Sequence, residues 1–219
     1  SNVLCDSAFQ YHFVSDEGYH VTAIIIDGVS YAADSVYTFV NVHSDHTISA
    51  LFDRNSYTVE VTVEGNGTVL PDTTNQVLYG DSLVLTFVAD DCSEVDSIWV
   101  DGMYVGSTTN YTLQQISQNM NVRVVLKERS YLIVAHAAVG GTISPDDSTE
   151  VICGQDITYN MSPEAGYQLT AIVVDGDTLP ANSTYAFTDV RATHTIEALF
   201  ERNAYVVTTE IVGNGTASV

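Results

Sequence analysis

The chain is built from repeats of its own sequence. When the sequence is displaced by 148 positions, 24 of the 57 residues from Ser1 to Tyr57 match without a gap. Half that displacement, 74 residues, adds a more diverged middle copy, and the copies start at Tyr57, Tyr131 and Tyr205. A period of this length predicts a series of small units, each with its own core, in place of one or two larger domains.

The period divides the chain into four segments. We expect the C-terminal part of repeat A at 1–55, repeat B at 56–129, repeat C at 130–203 and the N-terminal strand or strands of repeat D at 204–219. The sequence does not determine at which residue a structural unit begins, because the first strand of a unit could come from the preceding copy. Only a few polar residues separate the copies, which favours an elongated, semi-rigid array.

Apolar residues alternate with polar ones within each copy. The alternation runs through Tyr57, Val59, Val61 and Val63, then through Leu83, Leu85, Phe87 and Ala89, and finally through Val122, Val124 and Leu126. A period of two indicates β-strands with one buried face. We therefore predict an all-β chain of tandem small domains, each a β-sandwich or β-grasp-like fold of about six strands. Helix is limited to single turns, such as one over 113–119.

A short apolar strand precedes an Asp-Gly pair in every copy. The pairs begin at Asp27, Asp101 and Asp175. Asp-Gly readily supplies the positive φ angles of a tight hairpin, so we predict a hairpin turn at each pair.

The composition excludes several classes of protein. The 45% hydrophobic content and 13 tyrosines are too rich for a disordered chain, and the net charge of −22 repels nucleic acids and anionic membrane surfaces. No apolar run is long enough for a transmembrane helix, so we expect no membrane insertion by this fragment. Three cysteines are too few for a disulfide framework and are not spaced as a metal site.

The recurring motifs resemble a known family. They are Gly-Asn-Gly-Thr at 65–68, Tyr-Gly-Asp at 79–81, Gly-Tyr at 166–167, Asp-Gly at 175–176 and His-Thr-Ile-Glu-Ala-Leu-Phe at 194–200. In this combination the chain resembles the divergent internalin-B-type B-repeats, also called Listeria-Bacteroides repeats. Repeat B departs from the pattern, with Cys92 and Ser93 in place of Gly-Tyr and Met120 in place of the histidine. The resemblance implies a non-catalytic module of secreted or surface-anchored bacterial proteins.

Two groups of residues have side chains that can act as metal ligands. His43, Asp45 and His46 have metal-ligand chemistry, but repeat C has Arg191 and His194 at the histidine positions and repeat B has Ser117 and Met120. A polar turn is the better interpretation. Asp27, Asp101, Asp175 and Asp177 lack the alternating oxygen ligands of a calcium loop, although a weak calcium site between copies stays open. We predict no cofactor and no metal.

Aromatic side chains raise the question of carbohydrate binding. Trp99 aligns with Ile25 and Val173, and Tyr111 aligns with Tyr37 and Tyr185, so we expect both to fill the core. Tyr104 is expected on the surface, where a flat ring could stack on a sugar.

The sequence offers no sign of catalysis. It has neither a nucleophile elbow nor a phosphate-binding glycine loop, and the acidic neighbours of Cys92 would suppress its thiolate. Short glycosylation-like motifs are weak evidence in a chain of this composition. Those of the Asn-x-Ser/Thr type lie at Asn66, Asn110, Asn160, Asn182 and Asn214, and those of the Asp-Ser/Thr type lie at Asp6, Asp34, Asp81, Asp96 and Asp177.

The sequence therefore predicts the repeat region of a secreted or cell-surface bacterial protein and not an enzyme. We expect a spacer and adhesion module whose partner is an extracellular protein or a glycan. The alternatives are a carbohydrate-binding array and an accessory region of a secreted hydrolase. No catalytic, cofactor or metal residue is predicted, and the binding residues stay unknown.

Overall fold

The computed structural model describes residues 2–218, and every regular element in that range is a β-strand. Ser1 and Val219, the outermost residues of the predicted first and last segments, lie outside the described range. The all-β prediction is confirmed. Residues 114–119 form no helical turn and contain the buried side chain of Ile116. Across the described residues, no helix has the length and apolar character needed to cross a membrane.

Repeat A contributes five strands in two small sheets. They are β1 (Phe9–His12), β2 (Tyr19–Ile26), β3 (Val29–Ala32), β4 (Val36–Phe39) and β5 (Ile48–Arg54). One sheet has the order β3-β2-β5 and the other contains β1 and β4, and all of these pairings are antiparallel.

Repeat B contains eight strands. They are β6 (Ser56–Glu64), β7 (Gly67–Leu70), β8 (Thr74–Leu78), β9 (Leu83–Ala89), β10 (Ser93–Val100), β11 (Met103–Gly106), β12 (Asn110–Leu113) and β13 (Met120–Glu128). A five-stranded sheet has the order β11-β10-β13-β6-β8, and a three-stranded sheet has the order β12-β9-β7.

Repeat C contains the same eight strands in the same order. They are β14 (Ser130–Ala137), β15 (Gly141–Ser144), β16 (Asp147–Ile152), β17 (Ile157–Pro163), β18 (Tyr167–Val174), β19 (Asp177–Pro180), β20 (Thr184–Phe187) and β21 (His194–Arg202). Its sheets have the orders β16-β14-β21-β18-β19 and β15-β17-β20.

The first and last strands of each complete repeat pair in parallel. In repeat B, Val59 of β6 lies opposite Met120 of β13, and the pairing continues to Glu64 and Val125. In repeat C, β14 and β21 pair in the equivalent register. The last strand therefore lies inside the five-stranded sheet, with a partner on each side. This arrangement requires both ends of the 74-residue period.

Each complete repeat has a separate hydrophobic core, as the alternation predicts. The first core contains Val59, Leu85, Ile98, Ile116 and Val124, each no more than 1% exposed. The second includes Ile133, Tyr159, Val190, Ile196 and Ala198, which are equally buried. By its contacts, the chain divides into two compact units between Lys127 and Glu128, and repeat A belongs to the same unit as repeat B.

The number of strands exceeds the expected value of about six. The strands of repeat B that the sequence pattern does not reveal include β7 and β8, of four and five residues. Both are short, and they are separated by Pro71, Asp72 and Thr73, so their alternation is too brief to stand out in the sequence. β8 buries Asn75 and Val77 against the core side of the sheet, which shows that a half-polar stretch can still supply an edge strand.

A single residue, Asn55, connects the last strand of repeat A to the first strand of repeat B. Its backbone N–H donates to the carbonyl oxygen of Gly18 at 2.8 Å, and its carbonyl oxygen accepts from the N–H of Tyr79 at 2.8 Å. The side chain of Arg54 donates to the carbonyl oxygen of Tyr79 at 3.2 Å and to the carboxylate of Asp81 at 2.5 Å. Both polar backbone groups of the junction are therefore satisfied by residues on either side of it.

The segment predicted to begin repeat D contains no strand in the structure. Residues 203–218 are irregular, and the large side chains of Tyr205, Val206, Val207 and Val212 are more than 80% exposed. The alternation that forms β6 and β14 is present here in the sequence. A strand also needs a neighbour to satisfy its backbone groups, and no described strand pairs with this segment.

We predict that the two faces of β9 differ sharply in their contribution to stability. Leu85 is fully buried, whereas its neighbour Val84 is 56% exposed. Leu85→Ala should lower the free energy of unfolding of repeat B by about 2–5 kcal/mol, and Val84→Ala by less than about 1 kcal/mol. Urea denaturation followed by the fluorescence of Trp99, the single tryptophan of the chain, measures both values. Equal losses in the two variants would contradict the assigned core face.

Candidate functional site

The most regular polar arrangement in the molecule is built on the Asp-Gly turns. Asp27, Asp101 and Asp175 have φ angles of 49°, 47° and 50°, and the glycine after each also has a positive φ. The turns join β2 to β3, β10 to β11 and β18 to β19, so the predicted hairpins are confirmed. Positive φ at both central positions matches the twist of antiparallel strands.

Each turn aspartate also holds the start of the last strand of its repeat. The carboxylates of Asp27, Asp101 and Asp175 accept the backbone N–H of Thr47, Asn121 and Thr195, each at 2.8 Å. A side chain in the hairpin thereby fixes a strand that lies about 20 residues further along the chain. The same bond recurs in all three repeats, which indicates a structural role.

A histidine completes this arrangement in repeats A and C. The Nδ1 atom of His46 lies 2.7 Å from a carboxylate oxygen of Asp27, and His194 lies at the same distance from Asp175. The two imidazole rings stack on Phe39 and Phe187, with centroids 5.1 and 4.8 Å apart. Repeat B has Met120 at this position, and there the aspartate keeps only its backbone bond.

These contacts lower the pKa of both aspartates. For Asp175 the largest cause is the hydrogen bond from the Thr195 backbone, opposed by partial burial and reinforced by His194. For Asp27 the Thr47 backbone bond is again the largest cause, followed by His46. Each carboxylate is therefore held in its ionised, accepting form at neutral pH.

The structure separates His43 and His46, the two histidines with metal-ligand chemistry. His46 contacts Asp27, whereas the Nε2 atom of His43 lies 3.2 Å from a carboxylate oxygen of Asp6. The two side chains are engaged with different carboxylates, and Asp45 joins neither contact. Although His43 and His46 are close in sequence, their side chains therefore do not form a shared coordination site.

A different cluster brings three candidate ligands together. Cys5, Asp6 and His43 form the single group of this kind among residues 2–218, and all three are exposed. The sulfur of Cys5 lies 3.5 Å from Nδ1 of His43, and Asp6 contacts Nε2 on the other side of the ring. The Cys5 sulfur also lies 3.8 Å from a carboxylate oxygen of Asp6, so the three side chains contact one another on the surface.

The turn aspartates are equally unsuited to calcium in this arrangement. In Asp175, one carboxylate oxygen accepts from Thr195 and the other from His194. A calcium site needs six to eight oxygen ligands converging on one point. Among residues 2–218, none of the three turn aspartates belongs to a group of three or more converging His, Cys, Asp or Glu side chains.

The prediction that Trp99 fills the core is wrong. On β10 the side chain of Ile98 is fully buried in the core, so the alternation turns Trp99 to the opposite face of the sheet. There the indole ring packs edge-on against Tyr104, with centroids 5.5 Å apart. Tyr104 is 57% exposed, as expected for a surface residue, and Tyr111 packs against the core, as predicted.

Sequence reasoning missed the Asp-His pairs. The signal was present, because His46 and His194 are separated by the same 148 residues as Asp27 and Asp175. Two residues that recur together at a constant separation indicate a contact more strongly than two neighbours in sequence that do not recur.

The recurring motifs, strand order and turn contacts together define the repeat, and one comparison matches repeat C to a known family model. Residues 131–204 match the divergent InlB B-repeat domain. The resemblance inferred from sequence is confirmed over this B-repeat, which corresponds to repeat C. This family points to a non-catalytic repeat region and is typical of bacterial surface or secreted proteins.

Two further comparisons add little to the B-repeat match. The search of curated proteins returned no match. A solved structure described as the I9-I11 tandem from titin is 7% identical, covers 89% of this chain and 92% of its own, and superimposes with a TM-score of 0.16. A TM-score this low supports no conclusion about the fold or function of this chain.

We predict that the charge of Asp175 stabilises this B-repeat above acidic pH. Its folded pKa lies below the ordinary value of 3.8, so its contribution is present above pH 3.8 and is lost as the pH falls through the folded pKa. Asp175→Asn keeps a side chain that tolerates positive φ. It should lower the melting temperature by a few degrees at neutral pH and by progressively less below about pH 4.

Differential scanning calorimetry across this pH range measures the effect. The matched control is Asp177→Asn, because the carboxylate of Asp177 lies in the same hairpin and makes no hydrogen bond with the described residues. A constant difference between Asp175→Asn and the parent chain at every pH would show that the ionised carboxylate is not the stabilising form.

Proposed function

We propose that this chain is a spacer and interaction region of a secreted or cell-surface bacterial protein, and that it has no catalytic role. The observation that carries the proposal is the junction between repeats A and B, where one residue links two sheets and both of its backbone groups are hydrogen-bonded. Such a junction resists bending better than a flexible linker does. The B-repeat match supports the location at the cell surface.

The junction is reinforced by side chains from both repeats. The ring of Tyr79 packs against Gly18 so closely that a Cβ atom at Gly18 would overlap it. The ring of Tyr19 lies 6.5 Å from that of Tyr79, edge to face. Arg54 and Asp81 form an ion pair beside them. Backbone, aromatic and charged contacts therefore act at the same place.

The absence of a catalytic role is supported by how the polar residues are distributed. Among residues 2–218, Asn75 and Ser93 are the buried residues of polar or charged type, and neither side chain is ionisable. The ionisable clusters are exposed, and the most regular of them stabilises a turn. Catalysis commonly relies on perturbed groups that converge in a cleft.

The surface charge narrows the partners that the region can bind. With 28 acidic and 6 basic residues, the chain repels nucleic acids and anionic lipid surfaces. An extracellular protein with a basic or neutral face, or a neutral glycan, is compatible with the negative electrostatic potential of the chain.

Labelling intact and lysed cells of the source bacterium with an antibody against the repeats tests the proposed location at the cell surface. Labelling only after lysis would contradict it.

One observation favours carbohydrate binding as a second function. Trp99 lines a depression together with Asn121 and Arg123, and the ring of Tyr104 packs edge-on against Trp99. Aromatic faces with polar neighbours are suited to sugar rings.

We predict that Tyr104→Ala abolishes the binding of the chain to any glycan that the parent chain binds on a glycan array. The control Tyr31→Ala, which removes a tyrosine that is 50% exposed, should leave that binding unchanged. Equal losses would contradict this site.

We predict that the contact between Gly18 and Tyr79 stiffens the first junction. Gly18→Ala should expose Arg54 and accelerate tryptic cleavage after it several-fold, because the added Cβ overlaps the tyrosine ring. The matched control is Gly28→Ala, since Gly28 has nearly the same φ, 80° against 78°, but no atom within 4 Å of the added Cβ. Mass spectrometry of timed digests gives both rates. If the two variants are cut equally fast, backbone strain explains the change and the contact does not.

A further inference from the structure

Repeat B carries three side chains on its five-stranded sheet that the equivalent positions of repeats A and C do not have. They are Trp99, Tyr104 and Arg123, and the corresponding residues are Ile25, Ser30 and Ser49 in repeat A and Val173, Thr178 and Glu197 in repeat C. Each change in repeat B introduces an aromatic or a cationic side chain. A requirement of the fold would apply to every copy, so these residues indicate a function specific to repeat B.

The strand register brings these three side chains together. Tyr104 of β11 lies opposite Trp99 of β10, and β13 is the next strand in the sheet. On β13, Arg123 lies opposite Thr62 of β6. Trp99, Arg123 and Thr62 line one depression. An aromatic pair, a guanidinium group and a hydroxyl are therefore neighbours across four strands of repeat B.

The stability of repeat B does not explain the indole ring of Trp99. Its Nε1 atom is buried and has no hydrogen-bond partner among the described residues, whereas a buried indole N–H usually has one. The ring lies on the face of β10 opposite the fully buried Ile98 and packs against Tyr104, which is 57% exposed. Two aromatic rings kept outside the core, one of them with an unpaired donor, are the arrangement expected of a surface on which a ligand stacks.

Two polar side chains in the same depression are available to a ligand. Asn121 and Thr62 are exposed, and neither side chain makes a hydrogen bond with another residue of the range 2–218. Asn121 binds the carboxylate of Asp101 through its backbone N–H and leaves its amide group unused. Amides and hydroxyls both donate and accept hydrogen bonds, as sugar hydroxyls do. The depression therefore combines hydrogen-bonding groups with the aromatic surface beside it.

Arg123 belongs to this site as one half of an ion pair. Its Nε atom donates to a carboxylate oxygen of Glu64 at 2.8 Å, and the two side chains are 52% and 49% exposed. The terminal nitrogens of the guanidinium make no hydrogen bond with the described residues, so their N–H groups can bind a ligand. Because Glu64 balances the positive charge, the site offers these donors without a net positive charge.

We propose that repeat B, unlike repeats A and C, carries a binding site for a neutral sugar, and that Glu64 sets this specificity by neutralising Arg123. The proposal rests on carbohydrate binding, the second function proposed above, and adds the class of sugar and the residue that selects it. A pyranose ring stacks on Tyr104, which Trp99 supports, and its hydroxyls bind Arg123 and Asn121. The carboxylate of an acidic sugar would be repelled by Glu64 and by a chain of charge −22.

The first experiment changes the charge balance of the site in the full chain. Glu64→Gln keeps an acceptor for Arg123 but removes the compensating charge. On an array of neutral and acidic oligosaccharides, we expect the parent chain to bind neutral sugars, and Glu64→Gln to gain several-fold binding to sugars that carry a carboxylate. The matched control is Glu60→Gln, which removes the same charge from the same face of β6 but has no ion pair with Arg123. The control should bind as the parent chain does.

The second experiment locates the bound sugar. Trp99 is the single tryptophan of the chain, so titration with a neutral oligosaccharide that the parent chain binds on the array should change its fluorescence. Tyr104→Ala should abolish this change, and Tyr31→Ala should preserve it. Because the ligand is uncharged, the affinity of the parent chain should be insensitive to added salt, whereas salt should weaken the binding of acidic sugars to Glu64→Gln.

The outcomes separate this inference from the function on which it rests. A parent chain that binds no glycan would refute carbohydrate binding and the inference together. Binding that leaves the fluorescence of Trp99 unchanged, or that survives Tyr104→Ala, would place the sugar elsewhere and overturn the proposed site. A parent chain that binds acidic sugars, or a Glu64→Gln chain that gains no more than Glu60→Gln, would overturn the role of Glu64 while carbohydrate binding stands.

Discussion

The structure of each complete repeat depends on the parallel pairing of its first and last strands. β6 with β13, and β14 with β21, pair in parallel, and each pair joins residues about 60 positions apart. The other strand pairs with an assigned register are antiparallel, and most of them join strands close in sequence. A long-range pair costs more chain entropy to form than a hairpin does. In return, it places the last strand in the middle of the sheet, where both of its edges and its core face are covered.

The turn aspartates act on this same central strand. The hydrogen bonds from Thr47, Asn121 and Thr195 tie the start of the last strand to the preceding hairpin in all three repeats. Repeat B shows which part of the arrangement is essential, because it retains the aspartate and its backbone bond but replaces the histidine with Met120. The carboxylate-to-backbone bond is therefore the common element. The histidine adds a second contact and a stacked ring where it is present.

The sequence predicted the features that follow from periodicity. The 74-residue period located the copies, and the alternation identified core residues such as Val59, Leu85 and Ile196 correctly. It failed at Trp99, because alignment with apolar residues in the other copies does not determine which face of the strand a side chain occupies. Ile25 and Val173 are themselves only half-buried, on the outer face of their strands. Apolar character shows that a side chain tolerates partial burial, whereas the strand register decides which face it occupies.

The long-range pairing could not be predicted for a related reason. Alternation gives the two faces of a strand but not its neighbours, so the sequence left open whether a unit takes its first strand from the preceding copy. Phe52 of repeat A occupies the same position in the period as Phe200 of repeat C, yet the two side chains are 43% and 8% exposed. Identical side chains become core or surface according to whether the strand beside them is present. In an array of this kind, the core of each repeat is a property of a strand pair, and a repeat is complete only when both partners of that pair are in place.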